Sequence, residues 1–312
     1  MKQIIKYLKQ HLSEDYNPYY YSFNFLFLVI CITINYTIEL ETEIIDAYAG
    51  QNIRILYYFM LYAFAYYFSC ITYAITFKKN IFNNKWFWIK SLLILFLISF
   101  DAAFFYNRPY IQEHYPYQLH YFLIKISKNL STIVTVILPL SVFYVVFEKQ
   151  KNNFYGFTSQ NIDLKPYWIL LLIMVPLVLG ASFDEVFQKQ YPNLKDNSAA
   201  LFLGWDSWIT LLIFEITYGW DFISVELMFR GFLVIGMAKI LGKGAIVPMT
   251  VTYAFYHFGK PLGETIGSVF GGYILGIIAL YTRSILGGIV VHLGVAWMME
   301  LFAWLQKSVP NN

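Results

Sequence analysis

The chain is built from long apolar runs separated by short polar connections. Stretches free of Asp, Glu, Lys and Arg cover residues 16–38, 55–77, 129–147, 166–183, 244–259, 265–282 and 284–299. A helix needs roughly 20 mostly apolar residues to cross the hydrocarbon core of a bilayer, and these runs are of that order. Segment 86–107 is equally apolar apart from Lys90 and Asp101. Segment 207–238 is long and carries Glu215, Asp221, Glu226 and Arg230. The pattern predicts an all-α polytopic membrane bundle of eight or nine transmembrane helices. Segment 117–127 is too short to cross and is expected at the interface. The polar stretch 184–206, with Pro192, is the expected boundary between a divergent N-terminal helical part, 1–205, and a second part, 206–312. The second is richer in Gly, His and acidic residues.

Composition agrees with this pattern and removes other classes. Hydrophobic residues make up 58% of the 312 positions and charged residues 13%, about half the charged share of a soluble domain. The 27 Tyr and 29 Phe suit interfacial belts and aromatic helix packing. A net charge of +3 and the lack of a long basic tract argue against a nucleic-acid partner. Cys31 and Cys70 both fall in apolar runs and are expected to be inert packing residues. The first residues, with Lys2, Lys6 and Lys9, are basic and amphipathic, and no removable signal peptide is expected. The N-terminus and the 78–90 and 148–165 connections are Lys-rich, whereas 39–46 holds Glu39, Glu41, Glu43 and Asp46. The positive-inside rule then predicts an integral multi-pass protein with a cytoplasmic N-terminus. In a bacterium it would sit in the cell membrane.

Ionisable residues inside a span cost about 2.5–3.5 kcal/mol each on insertion scales, so they pair or line a wet cavity. Glu226 and Arg230 are one helical turn apart in the order that favours an ion pair. That pair alone is equally consistent with a local neutralisation and with a carboxylate positioned by its Arg. His257, in TYAFYHFGKP, and His292, in GGIVVHLGVAW, lie on two further helices. An acid and two imidazoles from three helices are a minimal kit for activating water and stabilising an oxyanion. Gly267 with Gly271, and Gly272 with Gly276, are each four apart and predict close helix approach around this polar centre.

These motifs, ELMFRG, YHFGKP, GSVFGGYILGIIALYTRSILGGIV and VHLGVAW, resemble the CAAX protease and bacteriocin-processing family of intramembrane proteases. That family includes the type II CAAX prenyl endopeptidases and abortive-infection-type proteins. The resemblance covers about residues 206–305 and makes 206–312 the expected catalytic helical core. The family pattern is Glu-Glu-x-x-x-Arg, aromatic-x-x-x-His and His-x-x-x-Asn or Asp. The resemblance assigns Glu226 and His257 to water activation, His292 to the oxyanion, Arg230 to holding Glu226, and Tyr253 to the aromatic position. The family is also described as metalloproteases; a zinc ion, if present, would be held by Glu226, His257 and His292. The implied partners are a peptide or protein substrate at the membrane and the lipid bilayer itself.

Two positions depart from the pattern. Val225 stands where the family has its first Glu, and Ala296 where it has Asn. Asp221, one turn before Val225, is the expected substitute base, with an interfacial residue beside Trp220 as the alternative. Glu300 is expected at the interfacial end of the last span, or else pointing inward. Three functions follow: an endopeptidase cleaving near the membrane surface, a non-catalytic relative that binds a peptide, lipid or partner, and a transporter built on a proton relay. The last lacks paired interrupted helices in corresponding halves.

Overall fold

The computed structural model describes residues 2–148, 153–160 and 162–308, which are predominantly helical with no strand among them. Lys149 and Lys151, which carry much of the basic character expected for the 148–165 connection, lie outside the described residues. An amphipathic helix α1 (Lys2–Asp15) precedes α2 (Pro18–Ile38), α3 (Ile53–Thr76) and α4 (Lys85–Ala102). Helix α5 (Tyr117–Thr132) continues through π-type turns to Glu148. Then come α6 (Lys165–Ala181) and α7 (Ser207–Glu226), the latter passing directly into a π-helical segment Leu227–Gly236. Helices α8 (Ile246–Phe255), α9 (Leu262–Thr282) and α10 (Leu286–Ser308) complete the bundle.

Seven helical runs are long and apolar enough to span a membrane, against the eight or nine expected. The difference has two sources. Residues 207–255 form one continuous apolar run, and α6, at 17 residues, is shorter than a full span. Segment 117–127 opens a longer helical run, 117–148, which is one of the seven. Phe25, Ile75, Leu172 and Ile216 point outward from the bundle, the arrangement of an integral multi-pass membrane protein whose solvent is acyl chain.

Local chemistry sets the helix ends. Asn17 accepts from the Tyr20 amide with Pro18 in the first turn of α2, and Asn84 accepts from the Trp86 amide at the start of α4. The acidic connection after α2 and the turn after α8 lie at one end of the bundle, where Asn35 reaches Phe258. At the other end Glu14 of α1 pairs with Lys243, so the N-terminal helix and the Lys239–Lys243 connection share a side.

The main hydrophobic core runs from Tyr20 to Ile289 and takes side chains from both sides of residue 206. The 184–206 connection is not a loose strap. It folds into Glu185–Gln190 and Ser198–Leu203, and Tyr191 donates to Glu264 on α9 at 3.0 Å. Asn193 donates to Glu300 on α10 through its amide at 3.0 Å and its side chain at 2.6 Å.

Candidate active site

The polar centre is assembled from the end of α7, the π segment, α8 and α10. Glu226 and Arg230 are buried, at 0% and 1% exposure, with Nη1 3.0 Å from Oε1. The guanidinium also lies 4.1 Å over the ring of Tyr253, a cation–π contact strengthened by desolvation. Gly272 of α9 leaves the room for this stack, because a Cβ there would stand 2.9 Å from the Tyr253 ring.

The π segment decides which residues of its sequence share a face. Bonds from i to i+5 widen the helix, so Gly231 and Gly236 line up, and both lie against Tyr155. A Cβ would meet the Tyr155 carbonyl at 2.9 Å from Gly231 and the Tyr155 ring at 3.1 Å from Gly236. The segment ends where Lys90 donates to the Gly236 carbonyl at 2.8 Å.

Hydrogen-bond partners fix both imidazole tautomers. Nδ1 of His292 is 3.1 Å from Glu226 Oε1; a carboxylate only accepts, so Nδ1 carries the proton. Its Nε2 lone pair faces the Tyr253 hydroxyl at 3.2 Å, which donates. Nδ1 of His257 is 2.8 Å from the Tyr253 carbonyl oxygen and donates to it, leaving the His257 Nε2 lone pair available. Tyr253 thus touches Arg230, His257 and His292 at once, with its ring centroid 4.4 Å from that of His257.

Helix α8 is ten residues long, about 15 Å, half the hydrocarbon thickness. Asn35, which bonds the His257 turn at Phe258 O, lies about one turn before the end of α2. The imidazole is therefore roughly one helical turn, ~5 Å, inside that end of the bundle.

Of the residues read from the sequence, Glu226, Arg230, Tyr253, His257 and His292 come together. The carboxylate sits differently from the expected pairing with His257: its Oε1 is engaged by Arg230 and His292, and its Oε2 is buried against Gly288 without a hydrogen-bond partner. Asp221 does not join this group. Its charged neighbours are Asp101, Lys128 and Lys260, while the next residue, Phe222, lies against the His292 ring at 4.6 Å between centroids. Successive residues point about 100° apart on a helix, so the face that gives Phe222 to the site turns Asp221 away. Glu300, expected at the interface, is instead buried at 6% exposure and anchors Asn193. Val225 and Ala296 are buried at 4% and 3%.

The glycine pairs split. A Cβ on Gly276 would stand 2.5 Å from Met249 Cε, whereas Gly267 and Gly271 have nothing within 4 Å and pack against no neighbouring helix. The glycine that matters most was not singled out from the sequence. Gly288 lies one turn before His292 on the same face, and any Cβ there would collide with the Glu226 carboxylate. The i, i+4 spacing of Gly288 and His292 was the available signal.

Among the described residues, no three of His, Cys, Asp and Glu are grouped so as to hold a metal ion. Glu226 Oε1 is committed to a guanidinium and to His292 Nδ1–H, its Oε2 is closed off against Gly288, and Arg230 beside it would repel a dication. This donor set does not fit a three-ligand zinc centre.

The fold and this centre define a polytopic membrane protein with an intramembrane Glu–His–Tyr–His constellation. Residues 207–298 match the family model described as type II CAAX prenyl endopeptidase Rce1-like, a protease family, within the region that carries the resemblance read from the motifs. No curated protein and no solved structure matches the chain.

Proposed function

We propose that the protein is a membrane-embedded endopeptidase that hydrolyses a peptide bond close to the membrane surface, with its N-terminus in the cytoplasm. The observation that carries this reading is the free Nε2 lone pair of a His257 ring packed on the Tyr253 ring, whose hydroxyl meets a His292 held by Glu226. His257 Nε2 takes a proton from a water molecule as its oxygen attacks the peptide carbonyl. The Tyr253 hydroxyl turns its single proton away from His292 Nε2 and donates it to the oxygen on which charge develops. When the C–N bond breaks, His257 returns the proton to the leaving amine. Glu226 holds the His292 ring, Arg230 holds Glu226, and no metal takes part in these steps.

The test is single replacement of Glu226, His257 and His292 by Ala, with cleavage of a membrane-anchored tail peptide as readout. Each loss is expected to lower turnover by about 10²–10⁴-fold. Unchanged turnover in all three sinks the assignment. Buried Val225 and Ala296, apolar where the family has polar groups, favour a second reading: a non-catalytic relative that binds a peptide, lipid or partner. It predicts no cleavage by the wild type and some gain in a V225E/A296N double variant.

A further inference from the structure

The turn that carries His257 breaks the helix after Phe255, and a buried carbonyl released from a helix needs a new partner. Its partners come largely from outside the family-matched stretch. The His257 carbonyl accepts from Thr265 Oγ1 at 2.6 Å, and that hydroxyl is 2.6 Å from Tyr36 Oη. The Phe258 carbonyl accepts from Asn35 Nδ2 at 3.0 Å, and the Lys260 carbonyl accepts from Tyr36 Oη at 2.6 Å. Gly259 lies against Glu41: a Cβ there would stand 2.8 Å from Oε1. The anchors are themselves tied together. Asn35 Oδ1 accepts from the Glu41 amide at 3.2 Å, and Tyr58 donates to Glu41 Oε1 at 3.0 Å. Asn35, Glu41 and Thr265 are buried.

We infer that the α2–α3 hairpin is a positioning device for His257, with Asn35, Tyr36 and Glu41 acting through the backbone of residues 257–260 and Thr265 completing the clamp. Satisfying stray carbonyls would need only one donor each. Here two residues of one helix turn, Asn35 and Tyr36, grip carbonyls on both sides of Gly259, while the His257 ring is fixed to the Tyr253 carbonyl at the other end. A ring bonded at Nδ1 and hung from a backbone held at the carbonyls of residues 257, 258 and 260 has its Nε2 direction set. The inference rests on the endopeptidase reading for the use made of His257, but the clamp can be tested without it.

The experiment uses the full chain in detergent micelles and two isosteric variants, Tyr36→Phe and Thr265→Val, with Thr265→Ser as the conservative control. Carbethoxylation of each histidine by diethyl pyrocarbonate is followed by peptide mass mapping. Both hydroxyl-deleting variants are expected to change the His257 labelling rate at least threefold while leaving His292 unchanged, and Thr265→Ser to restore the wild-type rate. A lowered melting temperature with His257 labelling unchanged, or changed equally at every histidine, overturns the clamp. If Thr265→Val does not fold, Tyr36→Phe decides alone, since it removes one oxygen and keeps the ring. In the cleavage assay the same variants are expected to lose about tenfold in kcat at unchanged KM. A wild type that cleaves nothing counts against the endopeptidase reading, whereas the labelling result alone decides the clamp.

Discussion

At the residue scale, the Glu226 carboxylate is confined. Breaking a buried ion pair by removing one partner costs about 3–5 kcal/mol, so the site is stable only while Arg230, His292 and the carboxylate stay together. Gly288 is the most economical place to test this. Gly288→Ala puts a methyl group where Oε2 now lies, and overpacking of a tight contact costs about 1–3 kcal/mol. The displaced carboxylate would release the His292 ring. Thermal unfolding and turnover should both fall for Gly288→Ala, while Gly271→Ala, with nothing within 4 Å, should match the wild type in both. Equal behaviour of the two variants would contradict the tight contact. Much of this was readable in advance. The four-residue spacing of Glu226 and Arg230 gave their pair, and the resemblance gave Tyr253 as the aromatic position before His257. The partner of Glu226 was not readable. Whether it meets His257 or His292 depends on how α8 and α10 approach α7, which no local pattern contains.

At the scale of elements, the π segment and the α2–α3 hairpin were invisible in the sequence for a physical reason. The residues LMFRGFLVIG suit an α-helix or a π-helix equally, and the wider winding is selected by Tyr155 against Gly231 and Gly236 and by Lys90 at the end. Asn35, Tyr36 and Glu41 are ordinary singly, and their meaning lies in contacts with residues more than two hundred positions away. Glu41 gives the hairpin a pH dependence. Burial pushes its carboxyl up from 4.5 to about 7, opposed by the bond from Tyr58 and by Arg54 and reinforced by Asp46. Tyr62 of α3 also faces it, and the turn presents Gly259. A folded-state value raised above the unfolded one means stability present below about pH 4.5 and lost as pH rises through about 7. The wild type should therefore lose thermal stability between pH 5 and 7.5. Glu41→Gln, which cannot ionise, should lose less, and identical pH profiles would refute the assignment.

At the scale of the molecule, the apolar runs showed the bundle and its spans almost everywhere. The count differs where helical structure continues across Lys239 and Lys243, at 207–255, and where a helix is shorter than a span, at α6. The expected boundary near 206 coincides with the start of α7 and of the family match, but the main core passes through it. The protein should therefore lose its site if either part is removed. The Arg230 and His292 contacts of Glu226 Oε1 carry a further consequence for the proposed activity. Turnover should be unaffected by a strong chelator such as 1,10-phenanthroline and by added zinc. Inactivation reversed by zinc would restore a metal mechanism.

For the endopeptidase proposed above, the shortness of α8 would limit what can be cut. A peptide folded as a transmembrane helix keeps each carbonyl engaged with an amide four residues on, and in lipid it cannot release one without a replacement. An imidazole stationed a single turn below the rim can reach only backbone that has already come unwound: a frayed end, a juxtamembrane tail or a short loop dipping inward. Selection among cellular proteins would then depend on how readily a chain uncoils at the membrane edge, before any side chain is read.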